Sequence, residues 1–285
     1  MVLAQLPFWM PVALRLRELL GVPLVYDRID LHLGFPGVSP AVERLERAMI
    51  AAADLVVASS PVLLAGCDGA AARCALVANA VDLEHFQHFP KASRRFGPPV
   101  SVGYVGALGP WFDAEAVGAL AASRPQWQVR LAGRVESPAV RALGRHENVE
   151  LLGEIPYGQV PELLAGLRAL LIPFLDLPLT RAVDPVKLYE GLAAGLPVVS
   201  TRLPAVEAWR EPSVYAYDGG GLLAAVERAL AEDSPAAAAA RRAAVSGETW
   251  AARAAALLRL VEEAGTQVEA TTVAGAPAAE RPAAR

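Results

Sequence analysis

The chain has 285 residues, of which 54% are hydrophobic and 20% are charged. This composition supplies enough apolar side chains for buried cores and excludes an intrinsically disordered protein. The net charge of −4 argues against a general nucleic-acid-binding protein, because such proteins carry an excess of basic residues. The two cysteines, Cys67 and Cys74, match no zinc-binding spacing and are too few for a disulfide scaffold, so we expect reduced thiols in a cytoplasmic protein.

The apolar N-terminus resembles a secretion signal only superficially. No basic segment precedes the apolar run, whose first charge is Arg15, and prolines interrupt it. No stretch of the chain reaches the length of a membrane span, about 18 apolar residues. We predict a strand at 2–5 and a helix from Met10 to Leu20. This helix is predicted to be an ordinary crossover helix. The alternative is a peripheral contact with the inner face of a membrane, because Phe8 and Trp9 lie beside the arginines of the helix.

The first part of the chain, residues 1–92, alternates short apolar strands with helices. Further strands are predicted at 23–27, 54–60 and 74–82, and helices open at Ser39-Pro40 and Ser60-Pro61. Apolar strands that alternate with helices are typical of a parallel sheet covered on both faces. The Pro-rich, Gly-rich and basic stretch that follows predicts a linker at 93–99.

The alternation starts afresh after this linker. Six strand-like segments lie at 100–106, 127–133, 149–153, 168–174, 196–201 and 213–217, with helices beginning near residues 112, 137, 156, 184, 203 and 219. This pattern predicts a second, complete doubly wound domain at 100–245, so the fold class is α/β with two Rossmann-like domains in tandem. One more helix is predicted at 246–264, and the aperiodic residues 265–285 predict a disordered tail.

The first domain is short for a doubly wound sheet. It has four strand candidates and opens directly on a strand, whereas such a sheet grows outward from its first strand. We therefore expect either an N-terminally shortened chain or another covering for that sheet edge. An uncovered edge would favour self-association.

Two such domains form a cleft between the carboxyl ends of their sheets, where open α/β sheets bind ligands. The turn Gly106–Gly109 follows a strand and opens a helix, so its backbone N–H groups could receive a phosphate. A tight turn that merely needs small residues is the alternative. Arg134, after the next strand, would face either an anionic ligand or solvent.

The segment 184–200 is the most informative part of the sequence. Asp184 and Pro185 predict the N-cap and first turn of a helix, and the Gly-Leu-Pro that follows predicts its end. Lys187 and Glu190 are three residues apart and share one face. A lysine at a helix N-terminus suits a diphosphate, and a carboxylate suits the paired hydroxyls of a ribose. A surface ion pair is the alternative interpretation.

Asp27, Asp30 and His32 follow the second strand and form a candidate catalytic cluster. Carboxylates and a histidine at a cleft edge suit acid–base chemistry, with an ordinary loop as the alternative. The other histidines form no metal-binding set, and the sequence contains neither a G-x-S-x-G elbow nor a P-loop.

At these motifs the sequence resembles a known family. DPVKLYEGLAAGLPVVSTRLP resembles the donor-site segment of GT-B glycosyltransferases, especially glycosyltransferase family 4 and its relatives in cell-surface polysaccharide synthesis. Six other stretches resemble the same family in the same order, namely VYDRIDLHLGF, ADLVVASSPVL, VANAVDLEHF, GYVGALGPWFDAEAV, VELLGEIPYGQVPELLAGLRALLIPF and ETWAARAAALL. The resemblance extends from Val2 to Glu262.

The resemblance implies transfer of a sugar from a nucleotide-diphosphate sugar to a glycan or lipid-linked acceptor. It implies retention of anomeric configuration, no obligatory metal and no cofactor beyond the donor. By the same resemblance Glu190 would bind the ribose and Lys187 would face the diphosphate, while the helix around Trp250 would pack onto the first domain. The other donor-binding residues implied are Gly106, Ala107, Gly109, Arg134, Leu152, Gly153, Asp184 and Leu188.

The sequence also departs from the family pattern. Ala182 stands where family 4 has a second glutamate that contacts the sugar. Ala107 stands where the family has an arginine, and Phe112 falls near the position of its lysine. Either Lys187, Arg134 or Arg181 replaces these cations, or phosphate binding is weaker than in the family. The family's first domain normally begins well before the position that corresponds to Met1.

Two further functions stay open beside the glycosyltransferase. One is a catalytically inactive, shortened chain that binds a nucleotide or a partner chain. The other is a sugar-nucleotide epimerase on the same fold, which would convert the donor without an acceptor. The resemblance leaves the roles of Trp111 and Asp113 unassigned.

Overall fold

The computed structural model describes residues 1–67, 69–87, 99–209 and 211–274. Its strands form two parallel sheets, one of four strands and one of six, which confirms the two-domain α/β prediction. Residues 93–98 of the predicted linker and 275–285 of the predicted tail lie outside the described residues.

The first sheet has its strands in chain order, β1-β2-β3-β4. Its strands are β1 (Val2–Ala4), β2 (Leu24–Arg28), β3 (Leu55–Ala58) and β4 (Cys74–Leu76), and its helices are α1 (Met10–Leu20), α2 (Ala41–Ala52), α3 (Pro61–Ala65) and α4 (Leu83–Gln87). The core between the sheet and its helices includes Tyr26, Met49 and Val56, all fully buried. Ser60 caps α3 as predicted, because its Oγ accepts a hydrogen bond from the Leu63 amide at 3.2 Å.

The second sheet has the order β10-β9-β8-β5-β6-β7. Its strands are β5 (Ser101–Val105), β6 (Gln128–Ala132), β7 (Val149–Gly153), β8 (Ala169–Ile172), β9 (Val198–Thr201) and β10 (Val214–Tyr217). Its helices are α5 (Ala114–Ser123), α6 (Pro138–Ala142), α7 (Val160–Ala165), α8 (Pro178–Arg181), α9 (Val186–Ala193), α10 (Leu222–Glu232) and α11 (Pro235–Ala244). Strands β6 and β7 are added on one side of β5, whereas β8, β9 and β10 are added on the other side. The place between β5 and β8 is therefore a topological switch point, where a doubly wound sheet binds its ligand.

The last helix, α12 (Trp250–Ala274), packs on the first domain. Leu257, Leu260 and Val261 contact a cluster formed by side chains of β2 and β3. The prediction ended this helix at Ala264, ten residues before its end in the structure. The chain thus returns to its first domain after completing the second, as the resemblance implied.

Three local predictions differ from the structure. No helix follows Leu203, where the described residues form turns. Helix α11 was not predicted, although Ser234 caps it by accepting a hydrogen bond from the Ala237 amide at 3.1 Å. The N-cap of α9 is Pro185 rather than Asp184, which makes other contacts described below.

The outer edge of the first sheet is apolar. Strand β1 pairs with β2 alone among the described residues. Leu3, Trp9, Val12 and Leu16 are exposed along a groove of ≈ 430 Å³ between β1 and α1. None of the helices in the described ranges combines the length and the hydropathy that a membrane-crossing helix needs.

A buried ion pair joins β2 to α2. Its contribution to the stability of the first domain can be tested by substitution. Arg28 Nε lies 3.0 Å from Glu46 Oε1, with side chains only 8% and 6% exposed, and the Tyr26 hydroxyl donates to the same carboxylate oxygen at 2.9 Å. We expect Glu46→Ala to lower the free energy of unfolding by about 3–5 kcal/mol, because it leaves a buried guanidinium without its counter-charge. Chemical denaturation measures this effect.

The matched control is Glu43→Ala on the same helix. Glu43 pairs with Arg47 at 3.0 Å, but both side chains are largely exposed, so its removal should change stability by no more than about 0.5 kcal/mol. Equal effects of the two substitutions would contradict the structural role of the buried pair.

Candidate functional site

Three neighbouring strands of the second sheet end in glycines of positive φ. Gly106 follows β5 with φ +132°, Gly133 follows β6 with φ +140°, and Gly153 ends β7 with φ +68°. A Cβ on Gly133 would lie 1.8 Å from the Gly106 carbonyl oxygen, so only glycine fits there. The amides of Gly106 and Gly133 donate to Ala132 and Gly153 at 2.9 and 2.7 Å. The predicted phosphate turn therefore lies at the carboxyl edge of the sheet, beside the ends of two further strands.

The turn Gly106–Gly109 is held from below by aromatic side chains. The Tyr104 hydroxyl donates a hydrogen bond to the Ala107 carbonyl at 2.9 Å. Asp113, unassigned from the sequence, is the N-cap of α5, because its Oδ1 accepts from the Ala116 amide at 2.9 Å. The amides of Gly106 and Leu108 are bonded within the protein, whereas those of Ala107 and Gly109 make no hydrogen bond in the described ranges. Two turn N–H groups are thus left without a protein acceptor among the described residues.

Lys187 lies directly above this turn. Its Nζ is 5.1 Å from the ring centroid of Tyr104 and 5.2 Å from that of Phe174. A Cβ on Gly106 would lie 3.1 Å from Lys187 Cε, so the glycine also makes room for the lysine. Burial lowers the pKa of Lys187 to about 8, although the nearby Glu190 carboxylate acts in the opposite direction. The N-terminal turn of α9 and the glycine turn therefore meet at the switch point.

Glu190 lies one turn further along α9 and is 8% exposed. Burial raises the pKa of its carboxyl, while Lys187, the Tyr157 hydroxyl and His85 favour the charged form. The rings of His85 and Tyr157 stack at 4.3 Å with an interplanar angle of 14°. The sequence analysis missed this pair, because the two residues are distant along the chain and belong to α4 and to the turn after β7. Glu190 therefore lies on the same helix as Lys187, beside a stacked aromatic pair.

Asp184 joins the two domains. Its Oδ2 accepts from the Asn79 amide at 2.7 Å, and the Tyr189 hydroxyl donates to the same carboxylate at 3.0 Å. The Asn79 side-chain amide also donates a hydrogen bond to the Asp184 main-chain carbonyl at 2.6 Å. The predicted N-cap role is wrong because these partners hold the carboxylate away from the first turn of α9. Burial raises the pKa of Asp184.

Ala182 makes a second contact between the domains. Its carbonyl accepts from Ser60 Oγ at 2.6 Å, and its methyl group, 1% exposed, packs with Ala58 and Leu63. The position where family 4 has a glutamate is therefore an apolar interdomain contact in this chain. The structure also assigns the two candidate arginines to exposed ion pairs, Arg181 with Asp176 and Arg134 with Glu136. Of the three replacement cations considered, Lys187 is the one that reaches the turn.

A cavity of ≈ 610 Å³ lies between the domains, where the carboxylates that follow β2 face the N-terminus of α9. Residues of both domains and of α12 line it, among them Asp27, Asp30, Asn79, Asp184, Lys187, Trp250 and Arg253. Asp27 accepts from the Gln5 side-chain amide at 2.9 Å. Burial raises the pKa of both Asp27 and Asp30, and for Asp30 the neighbouring His32 partly opposes this effect.

Three predicted site residues lie elsewhere or act differently. His32 is half-buried in the turn His32–Gly34, outside the lining of the cavity, and its Nε2 has no hydrogen-bond partner among the described residues. Leu188 is a correction, because its side chain is fully buried in the core and its amide donates to the Pro185 carbonyl at 2.9 Å. Leu152 is half-buried at the end of β7, next to Gly153. Within the described ranges, no three His, Cys, Asp or Glu side chains are arranged to hold a metal ion.

The second domain matches a protein family. The family model for glycosyl transferases group 1 matches residues 99–241, half of the chain. The chain is also similar to the putative teichuronic acid biosynthesis glycosyltransferase TuaH of Bacillus subtilis (strain 168), with 30% identity over 141 residues. That match covers 47% of this chain and 36% of the relative, so the matched stretch spans little more than a third of that protein's length.

Solved structures share the two-domain fold. Sucrose-phosphate synthase from Thermosynechococcus elongatus superposes with a TM-score of 0.72 at 19% identity, covering 92% of this chain and 72% of that one. Anabaena Alr3699/HepE, solved in complex with UDP and glucose, superposes with a TM-score of 0.66 at 20% identity, covering 96% and 77%. At these identities the likeness shows the GT-B fold alone. Because the family match spans half of the chain and contains the glycine turn, Lys187 and Glu190, this protein belongs to the glycosyl transferases group 1 family.

Proposed function

We propose that this protein transfers a sugar from a nucleoside-diphosphate sugar to a hydroxyl group of a glycan or lipid-linked acceptor. The observation that carries the proposal is the position of Lys187 above the Gly106 turn, with the buried Glu190 on the same helix. Relatives support the chemistry, since HepE was solved with UDP and glucose and TuaH is described as a glycosyltransferase.

On the donor side, the diphosphate binds between the glycine turn and the N-terminus of α9. The free amides of Ala107 and Gly109 donate to phosphate oxygens, so the alanine at the family's arginine position acts through its backbone. Lys187 supplies the positive charge. Glu190 accepts hydrogen bonds from the ribose hydroxyls.

The bond between the sugar C1 and the leaving phosphate oxygen breaks while the acceptor oxygen bonds to C1. Negative charge then grows on the leaving diphosphate, where Lys187 and the α9 N-terminus stabilise it without a metal ion. The acceptor attacks from the face that the leaving group occupied, which retains the anomeric configuration. Asp27 and Asp30 orient the acceptor hydroxyl, and their raised pKa makes either carboxylate a stronger base for its proton.

Titration calorimetry with UDP, GDP and ADP tests the donor site. We expect one of these diphosphates to bind to the wild-type protein and Glu190→Ala to abolish that binding. Absence of binding to a folded wild-type protein would instead support the inactive-chain interpretation. Conversion of the donor sugar without any acceptor would support the epimerase.

Replacing Lys187 with alanine should weaken diphosphate binding selectively. The loss of a charge-assisted contact predicts about 10- to 100-fold weaker binding of the nucleoside diphosphate, with little change for the nucleoside. Arg181→Ala is the matched control, because Arg181 pairs with Asp176 on the surface. Equal losses for nucleoside and diphosphate would contradict the phosphate role of the lysine.

Diphosphate binding should also depend on the charge of Lys187. With a pKa of about 8, the ammonium of Lys187 is protonated at pH 7 and largely neutral at pH 9.5. A bound diphosphate favours the charged form, so affinity falls by about ten-fold or more between these pH values. Calorimetry across this range measures the fall. Lys187→Arg, which stays charged throughout, should show no such decrease, and a decrease of the same size in that variant would rule out Lys187 as its source.

A further inference from the structure

A short loop of the first domain packs against the second domain beside the Gly106–Gly109 turn. This clasp loop, residues 31–35, follows Asp30 directly. The ring of Phe35 meets that of Trp111 edge-on, with centroids 5.8 Å apart and an interplanar angle of 87°. Gly34 lies so close to Leu179 that a Cβ would be 2.8 Å from the leucine Cβ. The acceptor-side loop and the donor domain are therefore in direct contact through Trp111.

Trp111 is itself built into the phosphate turn. A Cβ on Gly109 would lie 2.6–2.7 Å from three atoms of the indole ring, so the turn closes onto the ring only because residue 109 is glycine. The Trp111 carbonyl accepts from the Leu175 amide at 2.8 Å, which anchors the residue to the segment after β8. The tryptophan thus contacts the turn through Gly109 and the first domain through Phe35.

A second connection runs from Trp111 through Tyr104. The Tyr104 hydroxyl donates to the Ala107 carbonyl at 2.9 Å. The Trp111 side chain acts on this hydroxyl, because it lowers the pKa of Tyr104 against the larger effect of burial. Lys187 Nζ lies over the Tyr104 ring at 5.1 Å. A displacement of Trp111 therefore changes the support of both the turn and the lysine.

We infer that Trp111 is a positioning residue for the Gly106–Gly109 turn. When Phe35 packs against Trp111, the indole ring holds this turn in place. This assignment rests on the proposed donor role of that turn. When the clasp loop packs against the second domain, Phe35 contacts the indole ring of Trp111. The Ala107 and Gly109 amides are then held in place. When the domains separate, Trp111 loses this partner and the turn loosens. The donor phosphates thus meet an ordered turn only when the acceptor-side loop is in place.

Hydrogen exchange of the ligand-free protein tests the connection without any nucleotide. We expect Phe35→Ala to increase exchange in the peptide spanning residues 106–113 by about five-fold, although Phe35 lies in the other domain. Trp111→Phe should do the same, and the double variant should exchange no faster than Trp111→Phe alone. Phe35→Leu, which keeps an apolar side chain but no ring edge, should lie between Phe35→Ala and the wild type.

Trp127→Phe is the matched control. Trp127 is a buried tryptophan of the same sheet, but it precedes β6 and so lies at the opposite, amino end of the strands. It should leave exchange in residues 106–113 at the wild-type rate. If Phe35→Ala behaves like this control, the inference is overturned.

Binding of UDP, GDP and ADP supplies the second measurement. Phe35→Ala should weaken binding of the preferred diphosphate by about three- to ten-fold and leave nucleoside binding unchanged, since Phe35 touches neither. Faster exchange in residues 106–113 without weaker diphosphate binding would overturn the positioning role. If the wild-type protein binds none of the three diphosphates, the proposed function fails, and the exchange rates still decide whether Phe35 fixes the turn.

Discussion

The backbone contact between Gly133 and Gly106 is the constraint on which the donor side depends. With only 1.8 Å between a hypothetical Cβ and the Gly106 carbonyl oxygen, no other residue type allows β5 and β6 to end at this separation. Gly106 in turn leaves the space that the stem of Lys187 fills, since a Cβ on Gly106 would lie 3.1 Å from Lys187 Cε. A single substitution at Gly133 would therefore displace the turn, the lysine and the aromatic residues beneath them together. Glycine here is a requirement of backbone geometry and not of flexibility.

The segment that leads into α9 serves both domains, and this explains two departures from simple expectation. Asp184 would be a good N-cap by sequence, yet the Asn79 amide from the first domain competes successfully for its carboxylate. Ala182 occupies a position where the family has a glutamate, and here its small side chain allows the main chain to reach Ser60. Both contacts press the start of α9 against the first domain. As a result, Lys187 shares one cavity with Asp27 and Asp30, although these residues belong to different domains.

Local signals predicted the elements well, whereas contacts between distant segments escaped them. Apolar strands, Ser-Pro caps and glycine turns depend on neighbouring residues, and α1 was predicted with the bounds found in the structure. The same Ser-Pro signal marks α11, which was overlooked because an alanine run has no apolar period. The stack of His85 on Tyr157 and the Phe35–Trp111 pair join segments more than seventy residues apart, and no local pattern encodes them. The alignment of Leu188 with a donor-binding position failed for a related reason, since helical rotation turns its side chain into the core.

Lys187 shows how the fold prepares a charge for an anionic ligand. Burial against Tyr104 and Phe174 removes water from the ammonium, which lowers its pKa and destabilises the charged form. The Glu190 carboxylate and the faces of the two aromatic rings favour the positive charge of the Lys187 ammonium. The aligned peptide groups at the N-terminus of α9 oppose it. A diphosphate placed between the lysine and the turn would satisfy the ammonium, the α9 N-terminus and the free turn amides at once. Binding of a doubly anionic group thus offsets the electrostatic cost of burying the ammonium, and this selects for phosphates over neutral parts of the ligand.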